Sequence, residues 1–211
     1  MPYYSKKHIL FIHIPKTGGT TIENELAKND NMYLRSGPTN RLLPPPFNKT
    51  SLQHQFYENL LNLKDFCKID FNDKLKVFCV VRNPYHRLVS DLFFYNLIQK
   101  GCSREKVCTI IKNYIKSKDK DNHNVPQFKF ICDSKGVIYP HIKIYKTENL
   151  VKDNWKINNE LGCVMDLKNY SLMGKESQDK YMSYLNDESI SIINNFYSRD
   201  FELFGYNKIL K

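Results

Sequence analysis

No stretch of this 211-residue sequence is apolar for long enough to cross a bilayer. Residues 1–7 are short and polar, and the apolar run at 9–14 is far below membrane-spanning length. Neither a secretory leader nor a membrane anchor is therefore expected. Paired cysteines are missing too. Cys67, Cys79, Cys102, Cys108, Cys132 and Cys163 form no CxxC, and Cys79 sits inside a strand-like apolar run. That argues against a zinc site or a disulfide framework and for reduced thiols. Without a leader, the glycosylation sequons at Asn48 and Asn169 read as chance matches. No carboxylate pair or histidine cluster has metal-ligand spacing, so no metal is expected. There is no repeat, linker or composition break, and a single domain over 1–211 is expected. Acidic charge is the scarcer sign. The formal net charge is +10, which admits nucleic acid, an acidic membrane surface or small and polymeric anions as partners, or simply a lysine-rich solvated surface. No nucleic-acid motif accompanies the charge, and most aromatic residues fall at core-like spacing instead of forming a stacking platform. Hydrophobic residues at 41% and charged residues at 26% are a globular composition.

What is present begins with a strand, a glycine turn and a helix. Ile9-Leu10-Phe11-Ile12-His13-Ile14 is apolar, β-branched and ended by Pro15, the pattern of a buried strand. Gly18-Gly19 makes the turn, and Thr20 or Thr21 is placed to cap a helix through Ile22, Leu26 and Ala27. A long irregular loop follows at 29–50, then helical spacing over 52–63 through Phe56, Leu60 and Leu63. Lys76-Val77-Phe78-Cys79-Val80-Val81 is a second buried strand, and Pro84 suits the first turn of the helix after it. Residues 102–115 read as a helix and 116–124 as a charged, Asn-rich loop. A shorter strand at 142–145 precedes a helix near 150–161, a surface loop at 174–178 and a largely helical tail over 179–204. Two strand–loop–helix units with continuous apolar strands predict an α/β fold, a central parallel sheet covered by helices on both faces.

Two motifs carry the chemistry. The first is Pro15-Lys16-Thr17-Gly18-Gly19-Thr20-Thr21, between strand and helix. Glycines let a backbone approach an anion closely, while successive N–H groups and a helix N-terminus supply positive potential. Lys16 adds a cation and the threonines add hydroxyl donors. Lys16 precedes the glycines, and the GxxxxGK[ST] order of a nucleotide-triphosphate loop is absent. The bland alternative is a strand-to-helix turn that uses glycine for shape. The second motif is Arg82-Asn83-Pro84-Tyr85-His86-Arg87-Leu88-Val89-Ser90, at the end of the second strand. Open α/β sheets bind ligands at such ends. Arg82 and Ser90 lie eight residues apart, about two helical turns, and one phosphate can bridge them; taken singly, each reads more simply as an arginine capping carbonyls and an exposed helix serine.

Together the motifs resemble the PAPS-dependent sulfotransferases (PAPS is 3′-phosphoadenosine 5′-phosphosulfate), in particular their carbohydrate-type branch. The first is similar to that family's 5′-phosphosulfate loop and the second to its 3′-phosphate element. His123-Asn124-Val125-Pro126-Gln127 is similar to a family His-x-x-Pro-Gln segment, and Lys146-Thr147-Glu148-Asn149-Leu150 to its Glu-Asn-Leu segment. The ending Asp200-Phe201-Glu202-Leu203-Phe204-Gly205-Tyr206 is similar to its C-terminal element. The resemblance implies a P-loop-like sulfotransferase fold and transfer of a sulfuryl group from PAPS to a hydroxyl, by in-line displacement and without a metal. It implies that Lys16, Thr17, Gly18, Gly19, Thr20 and Thr21 hold the phosphosulfate and that Arg82 and Ser90 hold the 3′-phosphate. Lys175 falls where the family has a mobile loop near the donor. The family commonly places a histidine base between the two motifs, here His54, with Lys16 assisting the leaving phosphate. His123 is the second candidate for the base, and His123 and Gln127 are expected to contact substrate.

The expected acceptor is a small molecule or a glycan, and the basic residues Arg35, Arg41, Lys49, Lys116, Lys118 and Lys120 suit either the holding of an acidic glycan or a plain solvated surface. The missing anchor departs from the animal carbohydrate enzymes, so a cytoplasmic protein of microbial or viral origin is expected, acting away from membranes. Two other classes share parts of the pattern. A nucleotide or small-metabolite kinase shares the opening turn but needs a magnesium-binding Asp after a strand, and none is evident. A non-catalytic binder of acidic polymers needs only the charge.

Overall fold

Three apolar runs lie side by side as parallel strands, and alternation within them sends side chains to two different cores. The computed structural model describes residues 2–28, 43–117, 121–168 and 180–210. Strand β2 is Ile9–Ile12, β3 is Lys76–Val81 and β4 is Ile142–Lys146. β2 pairs in parallel with β3, and β3 in parallel with β4, with Ile12 opposite Cys79 and Val81 opposite Lys146. A short strand not foreseen in the sequence, β1 (Tyr3–Tyr4), pairs antiparallel to β2 and completes the sheet order β1-β2-β3-β4. The sheet is thus mixed, not wholly parallel. A two-residue strand has no periodicity to read; Tyr3 and Tyr4 are held by burial and by the Tyr4 hydroxyl, which donates to the Glu23 carbonyl at 3.1 Å.

Leu10, Ile12, Val77, Cys79, Val81 and Ile142 face one core. That core is closed by the short helices α2 (Tyr57–Asn62) and α3 (Lys64–Cys67) and by residues 128–131. Ile9, Phe11, Phe78, Val80 and Tyr145 face the other core, under α1 (Gly19–Ala27) and α6 (Asn154–Leu161). A third apolar cluster joins α4 (Pro84–Phe94), α5 (Arg104–Lys116), α7 (Asp187–Phe196) and α8 (Ser198–Phe204). No helix among the described residues is long and apolar enough to cross a membrane.

One predicted element divides. The helical spacing over 52–63 resolves into a 3-10 turn, Leu52–His54, and α2, with Gln55 and Phe56 extended between them. The break has a cause. Gln55 is buried and its amide donates to the carbonyls of Phe47 and Thr50, both at 3.0 Å, which draws the chain inward between the two pieces. His54 therefore sits on a tight turn. Pro84 opens α4 as expected, and the Asn83 side chain caps that helix by accepting from the Tyr85 amide at 3.0 Å.

Candidate active site

All three parallel strands end on the same edge of the sheet, and the chemistry-bearing residues gather there. After β2 the chain turns through Lys16 at φ 66° and Gly18 at φ 92° into α1. Gly18 occupies the capping position and no side chain caps the helix. Thr20 and Thr21 stand inside the first turn, so neither is the cap proposed from the sequence. Left-handed backbone at the cap is what glycine provides, and no hydroxyl is needed. The first-turn amides of a helix lack an acceptor one turn back, which suits them to an anion; in α1 the Thr21 amide already donates to the Gly18 carbonyl at 3.2 Å. Thr17 is placed differently from its neighbours. It is fully buried, and its hydroxyl donates to the Ile14 carbonyl at 2.8 Å while its carbonyl accepts from the Thr147 hydroxyl at 2.7 Å. Its side chain braces the loop from within.

Gly19 is required by a neighbour. A Cβ at this position would lie 2.2 Å from Nε2 of His13, so the imidazole packs directly against the helix start. His13 is buried and bonds through Nδ1 to Glu23, and the Gln53 amide reaches both, at 2.7 Å to His13 and 3.0 Å to Glu23. This ties the loop to the turn that carries His54.

The second motif docks onto the first. An Arg82 Nη1 hydrogen donates to the Lys16 carbonyl at 3.2 Å, and the guanidinium lies 5.5 Å from the Tyr181 ring. Its Nε is buried with no hydrogen-bond partner among the described residues. Tyr181 also approaches His86 and Phe93, so the stretch of α4 that includes half-buried Ser90 shares a surface with the guanidinium. Gln127, expected at the substrate, is instead wholly interior. Its carbonyl accepts from the Arg82 amide and its NH2 donates to the Arg82 carbonyl, both at 2.9 Å, with Asp200 behind it. Those bonds satisfy the backbone at the strand end, and no part of Gln127 is left to meet a ligand. Glu148 works similarly, accepting from the Asn83 amide and the Tyr206 hydroxyl at 2.8 Å each. Arg87, buried at the heart of the site, donates to the carbonyls of Pro15, Val125 and His123, each at 2.9 Å.

Between these parts lies a cavity of about 260 Å³, lined by Lys16, Gly18, Gly19, Thr20, His13, Gln53, His54, His123 and Phe94 among others. The Lys16 ammonium sits 4.1 Å from the Phe94 ring centre. Burial pulls the Lys16 pKa down, and Asp91 partly opposes that while Arg82 adds to it. His54 stands 5.1 Å, ring to ring, from both His13 and His123, edge to face with each. The Nδ1 of His54 bonds Asp121 at 2.8 Å; that of His123 bonds Asp91 at 2.7 Å, and Asp91 also accepts from the Tyr114 hydroxyl. Burial drives His54 from 6.5 to about 4, more than Asp121 restores, and the neighbouring His13 and His123 push the same way. The imidazole is therefore neutral near pH 7 and able to take a proton. His54, Asp121 and His123 form a group with ligand-type atoms within 4.8 Å of one another. Within it, the hydrogen bonds give each imidazole a carboxylate of its own.

Lys16, Gly18, Gly19, Thr20, His54 and His123 are thus brought to one cavity. Arg82 adjoins it, with Ser90 further along α4. Lys175 lies outside the described residues, as do Arg35, Arg41, Lys118 and Lys120. Sequence reasoning missed Asp121, Asp91, Gln53 and Phe94. A family model described as a sulfotransferase family matches residues 3–207. No curated protein and no solved structure gives a match.

Proposed function

We propose, from the premise that this chain belongs to the sulfotransferase family, that it moves a sulfuryl group from PAPS to a hydroxyl of a carbohydrate acceptor, with His54 as base. The family supplies the coarser statement, that the protein is a sulfotransferase. The observation that supports the finer one is the joining of two anion-binding elements across adjacent strand ends. Arg82 bonds the Lys16 carbonyl and keeps a buried Nε without a partner among the described residues, beside a cavity whose wall carries a neutral histidine. A donor with anionic groups at both its 5′ and 3′ positions uses both elements.

The step is a single in-line displacement. The acceptor oxygen forms a bond to sulfur as the bond from sulfur to the bridging oxygen of the 5′-phosphate breaks. The acceptor's proton passes to Nε2 of His54, and adenosine 3′,5′-bisphosphate departs. Lys16 and the amides at the start of α1 stabilise the charge that grows on the leaving phosphate. Closing the charges into a small, partly buried cavity strengthens each of these interactions relative to water. Arg82 and Ser90 anchor the far end of the donor and hold it in register with the acceptor. Phe94 and His123 form the wall where the acceptor enters.

The test couples binding to product analysis. Adenosine 3′,5′-bisphosphate is expected to raise the melting temperature, and ATP with magnesium to do so weakly. Incubation with PAPS and a panel of glycans, phenols and metabolites is expected to yield a sulfated glycan by mass spectrometry. Stabilisation by ATP alone would overturn the donor assignment, and sulfation confined to phenols would overturn the acceptor class.

A further inference from the structure

We infer that Asp121 is the positioning residue of the base, holding the His54 imidazole with its proton on Nδ1 so that Nε2 is the nitrogen that receives the acceptor's proton. The inference rests on the reading of His54 as base, and it assigns a role to a residue that no motif marks.

Three separate bonds clasp the turn that carries His54. The Ser51 amide donates to Asp121 Oδ1 at 2.5 Å, His54 Nδ1 meets Asp121 Oδ2 at 2.8 Å, and the Asn122 side chain donates to the His54 carbonyl at 2.8 Å. Within the turn itself, the His54 amide bonds the Ser51 carbonyl at 3.0 Å. Both oxygens of Asp121 are thereby fixed, and one points at the ring. The backbone at Asp121 and Asn122 is left-handed, φ 57° and 61°. Asp and Asn accept that conformation more readily than other residues with a Cβ. The same turn delivers His123 to the other side of His54, 5.1 Å away. His123 has a separate carboxylate in Asp91, so of these two imidazoles Asp121 bonds that of His54.

Among the described residues, the charged and titratable groups near His54 come from several elements. His13 with Glu23 faces it from the end of β2 and from α1; His123 with Asp91 faces it from the 121–124 turn and from α4. Lys16 lines the same cavity. Among these, the carboxylate bonded to the ring is that of Asp121. In the resting site it faces a neutral imidazole. Once Nε2 has taken the proton, it faces an imidazolium. The attraction is therefore greater in the transition state than before it, which is the condition for accelerating the step. Nδ1–H stays on Asp121 throughout; the carboxylate orients the ring and balances its charge without itself taking the proton.

Asp121→Asn tests this directly. The amide NH2 in place of the carboxylate favours the opposite tautomer, with the proton on Nε2. The expected fall in kcat is about 10²- to 10⁴-fold, between the lower worth of general-base catalysis and the loss when the carboxylate of a Ser-His-Asp triad becomes an amide. Affinity for adenosine 3′,5′-bisphosphate is expected to stay within about twofold, which checks folding and the donor site. Nitrogen-15 NMR of labelled histidine is expected to give the Nδ1–H tautomer for His54 in the unmodified protein and the Nε2–H tautomer in Asp121→Asn, with the His54 titration displaced further downward. Asp121→Glu should recover part of kcat. An Nε2–H tautomer in the unmodified protein overturns the inference without any variant, and so does an Asp121→Asn enzyme with unchanged kcat. If His54→Ala keeps its turnover, the base reading fails, while the tautomer measurement still decides whether Asp121 orients the ring.

Discussion

The proposed function gives Lys16 and Arg82 the same task, a cation beside a phosphate, but they stand in different surroundings. Lys16 is a single ammonium at the cavity, resting 4.1 Å from the Phe94 ring centre. Arg82 is buried, with one nitrogen on the Lys16 carbonyl and Nε without a partner among the described residues. A charge-assisted hydrogen bond contributes about 1.5–3 kcal/mol, so either alanine substitution is expected to weaken bisphosphate binding roughly ten- to hundredfold by calorimetry. Arg82→Lys should recover little of that, because an ammonium cannot present the fork. Unchanged affinity in both alanine variants would remove these residues from the donor site. His54 supplies a second prediction. Its folded pKa of about 4 lies below the unfolded value near 6.5, so the unfolded chain binds more protons between those values. The corresponding stability is complete above pH 6.5 and is lost as pH falls toward 4. A shift of this size corresponds to roughly 3 kcal/mol. Urea unfolding at pH 7 and pH 4.5 should show that His54→Gln loses less stability on acidification than the parent; equal losses would contradict the burial argument. The two motifs were legible because their residues are contiguous. The carboxylates were not: Asp121 is 67 positions from His54 and Asp91 is 32 from His123, and nothing in local spacing joins such pairs.

At the scale of elements, the start of α1 and the end of β2 form one fitted joint. The Gly19 position leaves no room for a Cβ, because His13 fills it and His13 is itself fixed by Glu23 and Gln53. In an ordinary helix start alanine would be better tolerated than glycine. Here Gly19→Ala is expected to destabilise by about 1–3 kcal/mol, the usual cost of overpacking, and to weaken donor binding by shifting the first-turn amides. Adding His13→Ala should recover part of the stability in a denaturant melt. Failure of that recovery would mean that the ring is not the obstacle. Strands and glycine turn were readable from composition and order, since a buried strand is apolar wherever it pairs. The division of 52–63 was not, because apolar spacing continues across the break and the cause is a buried glutamine bonding carbonyls five and eight residues back. Gln127 illustrates the same limit from the other direction. A polar residue in a motif suggested a ligand contact, but its amide meets the needs of the Arg82 backbone.

For the whole molecule, the sheet brings two distant parts of the sequence to one edge, and the proposed function requires the donor to be recognised at two points on adjacent strands. The parallel pairing of β2 and β3 fixes their separation, and Arg87 reinforces it by bonding the carbonyl of Pro15 on one side and those of His123 and Val125 on the other. A ligand that reaches both points stabilises the joined state of these elements, whereas one that reaches a single point leaves the other free. Stabilisation by a ligand follows RT ln(1 + [L]/Kd), so at equal concentration the shift in melting temperature ranks affinities. Adenosine 3′,5′-bisphosphate is expected to exceed adenosine 5′-monophosphate by at least about tenfold in affinity, the worth of one additional charge-assisted contact at roughly 1.4 kcal/mol per decade. In Arg82→Ala the two ligands should bind alike, since the 3′-phosphate has lost its partner, while in Lys16→Ala both should weaken together. Equal affinities of the two nucleotides in the unmodified protein would mean that the second element does not read the 3′ position. The same difference surviving in Arg82→Ala would move the 3′-phosphate contact elsewhere on α4, with Ser90 the first position to examine.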